Sequence, residues 1–567
     1  MKRSDEGQRE RLWSAALALG SAVAAIASGV LAVTGHWTAV IDNAVIAVRA
    51  HDVFTRHIPL VGIYTSLTVA AHTSTRLHHL GPLEFWLAAI PARLGGPAGT
   101  GLPVAAAVIN ALAAAAIVWI GHRLGGPCLC ALMAASTALL AWSVGGQILH
   151  DPWNPHLAIF VFAFLLAAVW ALASGDIWML PVVGFAASFV VQLHLPYAAP
   201  VAFVSIWGVG ALVVALRRRR TELTDEQWLG LRRTLTRAVV ATVVVVLACW
   251  SGPLVDQLTG SGNLGAVARA ALGGGYPVLG IGIAWRDLVH ATSIPPLWLR
   301  PVTSIVKPDT APSAIDVVTS MLVLATLVGV ACWAWAQRRA RIAAVSTTAL
   351  TACVGAFLTT MRTPATYHYQ DLIWARRAWW PTGIFVWVAL VAAAGSLAAT
   401  RWPDAWPRAR PAVVAAGFAA LIVALVAAWP RLGPADDYGS SGFGAVRALA
   451  PTVAGSLHGS GPYLMTSEGA WAINVVAPGL ASDLIYRGDD VVVPNSNFPD
   501  FGWAHFVHRA SPPKSHVLVV SGAGAGRPRP GYRLVAQWDP ATEGAPYRSY
   551  RQTFFLVPID RVAVYLR

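Results

Sequence analysis

Charge is what this chain has least of: only 12% of its 567 residues are Asp, Glu, Lys or Arg, against 56% hydrophobic. A soluble protein carries roughly 25% charged residues, so a water-soluble globular chain is excluded. Cysteine is scarce too. All five, Cys128, Cys130, Cys249, Cys332 and Cys353, fall inside or beside apolar runs, which leaves the polar parts without a disulfide framework or a CxxC metal pattern. No internal repeat is visible, so the inverted-repeat signature of many secondary transporters is missing. Acidic residues are fewer than basic ones, 27 against 41, for a formal net charge of +14. Most of the basic residues sit in short loops between apolar runs, where they orient a chain in a bilayer. No nucleic-acid partner is expected from them.

What the chain does have is apolar runs long enough to span about 30 Å of hydrocarbon. They cover 13–34, 102–120, 128–144, 157–173, 177–195, 198–216, 238–254, 317–336, 342–360, 382–399 and 412–429, about eleven spans. The first follows a basic leader with Lys2, Arg3, Arg9 and Arg11 and is longer than a signal-peptide core, which makes it an uncleaved helix with a cytoplasmic N-terminus. Residues 82–90 are too short to cross and are expected as an amphipathic surface helix or a re-entrant piece. With that assignment the basic segments 217–237, 338–341 and 401–410 share the cytoplasmic side with His122 and Arg123, as the excess of positive charge on inner loops requires. The outer face then receives 37–101, the turn 150–155, the loop 256–316, the segment 362–380 and everything after Pro430.

The expected fold is therefore an α-helical polytopic membrane protein of the bacterial plasma membrane with a small extracytoplasmic α/β domain at its C-terminus. Residues 1–430 form the transmembrane domain, with a long first outer loop over 35–101, and 431–567 form the appended domain. In that tail, 461–494 reads as strand, helix and strand, and HVLVV, YRLVAQW and RVAVYLR supply further strands. It either binds an acceptor or partner or serves as a lid on the outer loops; no motif decides.

Ionisable residues crowd into the first outer loop. Asp42, Arg49, His51, Asp52, Arg56, His57, Arg76, His78, His79 and Glu84 lie in one stretch just after the first span. An ionised carboxylate at the membrane boundary is costly unless a cavity solvates it or a base pairs with it. Asp42 is thus either a general base for an acceptor hydroxyl or half of a structural ion pair with Arg49. Arg49, Arg56, His78 and His79 suit a phosphate, because guanidinium forks match phosphate oxygens, and they suit lipid headgroups equally. Adjacent His78 and His79 lack the i, i+4 spacing of a helical zinc pair. Three further span ends carry polar residues to the same face: His150 and Asp151 before Pro-Trp-Asn-Pro, Gln192 and His194 in VVQLHLPY, and Tyr367, His368, Tyr369, Asp371, Arg376 and Arg377. Each alone is an ordinary helix end.

The order of these features, an Asp shortly after the first span, then VRAHDV, a Gly-Tyr-Thr turn and HHLGPLEFWLAAIPARLGG, resembles the GT-C membrane glycosyltransferases. That superfamily includes protein O-mannosyltransferases, the aminoarabinose transferase of lipid A, and the mannosyl- and arabinofuranosyltransferases of mycobacterial envelopes. DPWNP and VVQLHLPY look like later loop signatures of an actinobacterial branch, and the likeness covers residues 13–216. It implies inverting transfer of a sugar from a polyprenyl-phosphate donor to an envelope glycan, lipid or protein acceptor on the outer face of the plasma membrane. By the same resemblance Asp42 is the base, with Asp151 or Asp52 as the second acid. Arg49, Arg56, His78, His79, His194 and Arg376 are left to bind donor phosphate and substrate. Many relatives pair two acids at the first position, whereas here the neighbour is Asn43, and a divalent cation stays open. The competing class is a transporter or flippase of a lipid-linked sugar, which asks for ionisable residues at mid-membrane in broken helices. A scaffold whose tail recruits wall enzymes is the third.

Overall fold

The computed structural model describes residues 2–299, 311–365, 374–434, 437, 440–458, 461–495, 499–507, 513, 515–541 and 559–567. Among these, nine helices are long and apolar enough to cross a membrane: Gln8–Thr34, Gly101–Val144, Asn154–Ala173, Leu195–Glu222, Asp225–Thr259, Ala314–Ala336, Ala340–Arg362, Trp379–Arg401 and Trp406–Arg431. The 44-residue helix Gly101–Val144 is two helices meeting at a kink, because Gly125 and Gly126 leave helical dihedrals. Gly126 sits at φ 68° just before Pro127, a conformation that glycine adopts without steric cost. A shorter apolar helix, Met179–Leu193, covers most of the run expected at 177–195. Every apolar run read from the sequence thus falls on a helix.

Burial separates central helices from peripheral ones. In Asn154–Ala173, 83% of the most apolar window is covered by protein, whereas Asp225–Thr259 and Ala314–Ala336 are covered over only 22% of theirs. The peripheral helices present Val240, Val244, Leu322 and other large apolar side chains outward, as lipid contact allows and water does not.

Between the first two spans lie the helices Ile41–Asp52, Leu67–Ala70 and Leu83–Leu94. Leu83–Leu94 has 12 residues, about 18 Å at 1.5 Å per residue, too short to cross. It buries Phe85, Ala88, Ala89 and Ala92 and exposes Leu87 and Ile90.

After the last span, a five-stranded sheet is built from β1 (Tyr463–Glu468), β2 (Val491–Val492), β3 (Ser515–Ser521), β4 (Arg533–Trp538) and β5 (Val562–Leu566), in the order β2-β1-β3-β5-β4. β1 is parallel to β2 and β3, and β5 is antiparallel to β3 and β4. The helix Ala477–Arg487 crosses from β1 to β2, the strand–helix–strand unit legible in the sequence. The tail does not stand apart. Trp37, Ile46 and Phe85 of the segment between the first two spans share one apolar core with Phe443, Trp471, Leu480 and Val517 of the tail, and the Tyr486 hydroxyl donates to the Ala47 carbonyl at 3.0 Å.

Candidate active site

The helix Ile41–Asp52 begins on a strained residue. Ile41 is β-branched yet sits at φ 54°, in the left-handed region such side chains avoid. Val40 before it is extended, so the chain turns sharply and delivers Asp42 in the first helical turn. Strain of this kind persists only where surrounding packing over-determines it; Ile41 and Val40 are buried in the shared core.

Asp42 keeps partial exposure, while Asn43 beside it is buried and donates from Nδ2 to Asp151 Oδ1 at 2.9 Å. Asp151 also accepts from the Trp153 backbone N–H at 3.2 Å and from His156 Nδ1 at 2.7 Å. Burial pushes the Asp42 carboxyl up to about 6; a hydrogen bond from the Trp153 side chain opposes the shift, and the charge of Asp151 adds to it. Glu84, on the helix Leu83–Leu94, is only 5% exposed. Burial and then the charges of Asp151 and Asp42 drive it well above the ordinary carboxyl range. Three carboxyl groups brought into mutual electrostatic reach divide the work by environment: Asp151 is held by three donors, burial favours the protonated form of Glu84, and Asp42 is poised close to neutrality.

A cavity of about 490 Å³ opens between the segment joining the first two spans and the tail. Arg49, Asp52, Arg76 and His78 line it from one side, Asp500 and Phe506 from the other. Its basic side chains are already engaged. His78 Nε2 lies 3.2 Å and Arg76 Nη1 3.8 Å from Asp500 Oδ2, and His505 Nε2 lies 3.0 Å from Asp52 Oδ2. Burial alone would raise Asp52 and Asp500, but hydrogen bonds from His505 and His51 to the first and from His78 to the second, with the charge of Arg49 acting on both, hold the two below the usual carboxylate range. Gly502, at φ 99°, closes the wall: a Cβ there would lie 2.0 Å from Arg49 Nη1. Gly502→Ala is expected to cost about 1–3 kcal/mol, chiefly from the backbone conformation because the guanidinium tip can move aside. A thermal melt in detergent reads the loss.

The residues expected to form one site are thus split. Arg49, Asp52 and His78 share the cavity; Asp42 and Asp151 share the carboxyl cluster. Arg56 is exposed and does not line the cavity. The expectation that His79 and His194 bind phosphate does not fit their surroundings. Burial, and then the neighbouring charge of His78, pushes His79 down to about 3; its Nδ1 accepts from the Leu195 backbone N–H at 3.2 Å, and its ring lies 5.3 Å from that of His194. Burial, helped by His79 and His156, drives His194 well below the ordinary imidazole range. Both rings are neutral at physiological pH and carry no charge for an anion. Arg376 is committed as well, its Nη1 2.7 Å from Asp287 Oδ1 on the helix Gly280–Thr292. Tyr367, His368, Tyr369 and Asp371 lie outside the described residues. No group of three or more His, Cys, Asp and Glu side chains suited to a metal ion occurs among the described residues.

Asp500, His505 and Asp437 escaped the sequence reading because nothing local marks them. They lie in the tail, more than 380 residues after the groups they meet, except that Asp437 reaches back 287 residues to His150.

The fold and this arrangement define a polytopic helical membrane protein with an α/β appendage seated on the segment between its first two spans. No protein-family model matches the chain, and no curated protein matches it. Among solved structures it is similar to ArnT from Cupriavidus metallidurans in the apo state, with a TM-score of 0.47 at 14% identity over 96% of each chain. It is likewise similar to the same protein bound to undecaprenyl phosphate, with a TM-score of 0.43 at 14% identity over 92% of this chain and 96% of that one.

Proposed function

We propose that the chain is an inverting, GT-C-type glycosyltransferase that moves a sugar from a polyprenyl-phosphate donor to a hydroxyl of an envelope glycan, lipid or protein acceptor at the outer face of the plasma membrane. The observation that carries this reading is Asp42, a partly exposed carboxylate pushed up to about 6 and flanked by a bonded Asp151 and by Glu84, whose burial favours the protonated form. A base of that strength takes a proton efficiently near neutral pH. In the reaction the acceptor O–H gives its proton to Asp42 and the oxygen attacks the anomeric carbon from the face opposite the phosphate. The carbon–oxygen bond to phosphate breaks, and its electron pair leaves on polyprenyl phosphate. The sugar is inverted, and Asp42 then returns its proton to water.

The cavity at the Arg49–Asp52 end of the helix that carries Asp42 suits a polyhydroxyl acceptor. It alternates donors and acceptors, Arg76, His78, Asp500 and Asp52, around Phe506, over which the Arg76 guanidinium lies 4.7 Å from the ring centre. The exposed Leu87 and Ile90 of Leu83–Leu94 offer apolar surface for a prenyl chain. The carboxyl cluster stands on helices outside the spans, Ile41–Asp52 and Leu83–Leu94, and not at mid-span in broken helices, where a transporter would place its ionisable groups.

The direct test supplies membranes containing the chain with radiolabelled decaprenyl-phosphate mannose or arabinose. Chain-dependent passage of label from the lipid to a second, non-prenyl product is expected. Movement of the intact lipid-linked sugar across a sealed vesicle, without release of label from the prenyl chain, would replace the enzyme with a flippase.

A further inference from the structure

One buried cation has no use in the arrangement so far. Arg377 is 0% exposed, and Nε, Nη1 and Nη2 all lack a hydrogen-bond partner. Among the described residues no other guanidinium is buried with all three nitrogens unbonded. Arg376 next to it holds Asp287, and the basic side chains around the outer cavity face Asp52 and Asp500. The contact Arg377 does make is with the Trp380 ring, 4.9 Å from its centroid, and it leaves the three nitrogens unbonded. A buried charge is costly unless it is paired and hydrogen-bonded. Burial accordingly pushes the guanidinium down to about 9.

Its neighbours are unfinished in the same way. The Tyr197 hydroxyl is buried without a partner, and the charge of Arg377 acts on it. His156 also feels that charge; its Nδ1 is spent on Asp151, and its Nε2 is buried and unbonded. These three groups come from three segments far apart in sequence, and Arg377 lies within electrostatic reach of the other two. Chance burial of a single polar atom does not produce that, since buried polar groups are overwhelmingly bonded. His156 also links this group to the reaction centre, because Asp151 bonds both His156 and Asn43, the residue after Asp42.

The structure assigns Arg377, with the Tyr197 hydroxyl, the binding of a phosphate group carried on a lipid, and so the seat of the donor's phosphate in the reaction proposed above. This rests on that reading. It moves the phosphate away from the first outer loop, where the sequence had placed it, to the residues just before the span Trp379–Arg401. The guanidinium supplies a two-pronged donor for phosphate oxygens and Tyr197 an O–H donor. Position 377 lies two residues from the start of that span, at the level where a lipid phosphate meets the chain that anchors it. As the glycosyl bond breaks, the charge growing on the departing phosphate falls on Arg377, and the proton taken from the acceptor falls on Asp42.

The test is a binding measurement on the purified full-length chain in phosphatidylcholine nanodiscs, titrated with decaprenyl phosphate and followed by thermal shift and tryptophan fluorescence. The native chain and Asp42→Asn are expected to bind alike. Arg377→Met is expected to bind roughly 10–100-fold more weakly, the loss of charge-assisted hydrogen bonds, and to melt no lower than the native chain when lipid-free, because an unpaired buried charge is gone. Arg377→Lys keeps the charge without the fork and is expected to fall between the two; it carries the test alone if the Met variant does not fold. Decaprenyl phosphate binding by Arg377→Met, or by Arg377→Lys if it stands alone, within about threefold of native overturns the assignment and leaves the glycosyltransferase reading standing. Equal protection by inorganic phosphate or phosphatidylglycerol also overturns it, in favour of a general anion site. A native chain that shows no decaprenyl phosphate binding removes the donor class and with it this assignment.

Discussion

Asp42→Asn lowers sugar transfer by roughly 10²–10⁴-fold, the range a positioned general base contributes, while the variant accumulates in the membrane at the native level. Asparagine has the shape of aspartate and can still accept the Trp153 side-chain hydrogen bond through its amide oxygen, so Asp151 and Asn43 keep their places; only the proton acceptor is lost. The pH profile makes the prediction specific. With the Asp42 carboxyl pushed up to about 6, the fraction in the basic form climbs with pH through that value. The native kcat/KM therefore rises across about pH 5–7 and levels off above it, and Asp42→Asn loses that limb along with the rate. Stability moves the other way. A carboxyl whose folded pKa lies above its unfolded one makes the native state hold the proton more tightly, so its contribution falls as pH rises from the ordinary value through about 6. Asp42→Asn is expected to melt at or above the native temperature at pH 7.5. A variant with native kcat/KM and an unchanged acid limb would remove Asp42 from its role.

Much of this was legible in the chain because membrane burial is a one-dimensional signal. Apolar runs such as 317–336 and 382–399 announce helices by length alone, and 82–90 announces a helix that cannot cross. The tail's strands were legible for the related reason that HVLVV and RVAVYLR concentrate β-branched residues in short runs. The site was legible only as a neighbourhood. That Asp42 matters follows from its place after the first span, but that its neighbour Asn43 binds Asp151 across 108 residues does not. His78 and His79 look equivalent in sequence, and backbone geometry sends one to Asp500 and the other to the Leu195 amide. Arg376 and Arg377 are likewise adjacent, one paired and one not. No spacing rule separates two consecutive residues at the end of a short 3-10 turn; only the packing around them does.

The second large effect concerns stability, at a joint between the two ends of the transmembrane part. His150 is completely buried, with Asp437 Oδ2 2.6 Å from Nε2 and Ser28 Oγ 2.6 Å from Nδ1. Ser28 Oγ also lies 3.0 Å from the Leu432 carbonyl, which can only accept; with the hydroxyl proton there, Nδ1 donates to the oxygen, and with Nε2 donating to Asp437 the ring then holds both protons and a positive charge. Burial works against that charge, but Asp437 outweighs it and His150 is raised above its ordinary value. Asp437→Ala leaves the cation unpaired inside the protein and is expected to cost on the order of 3–5 kcal/mol, the usual penalty for breaking one side of a buried ion pair. Ser28→Ala should cost only about 1 kcal/mol. Replacing both partners, His150→Leu with Asp437→Leu, should recover most of the loss, because the expense lies in the uncompensated charge and not in the missing attraction. The pH dependence has a definite sign: a raised imidazole stabilises fully below its unfolded value near 6.5, and that stabilisation is lost as pH rises through the folded one. Native thermal stability should therefore decline on the alkaline side, and the double Leu variant should not share the decline. Because His150 precedes Asp151 directly, Asp437→Ala should also lower turnover in molecules that remain folded, through the slackened turn that holds Asn43 and His156.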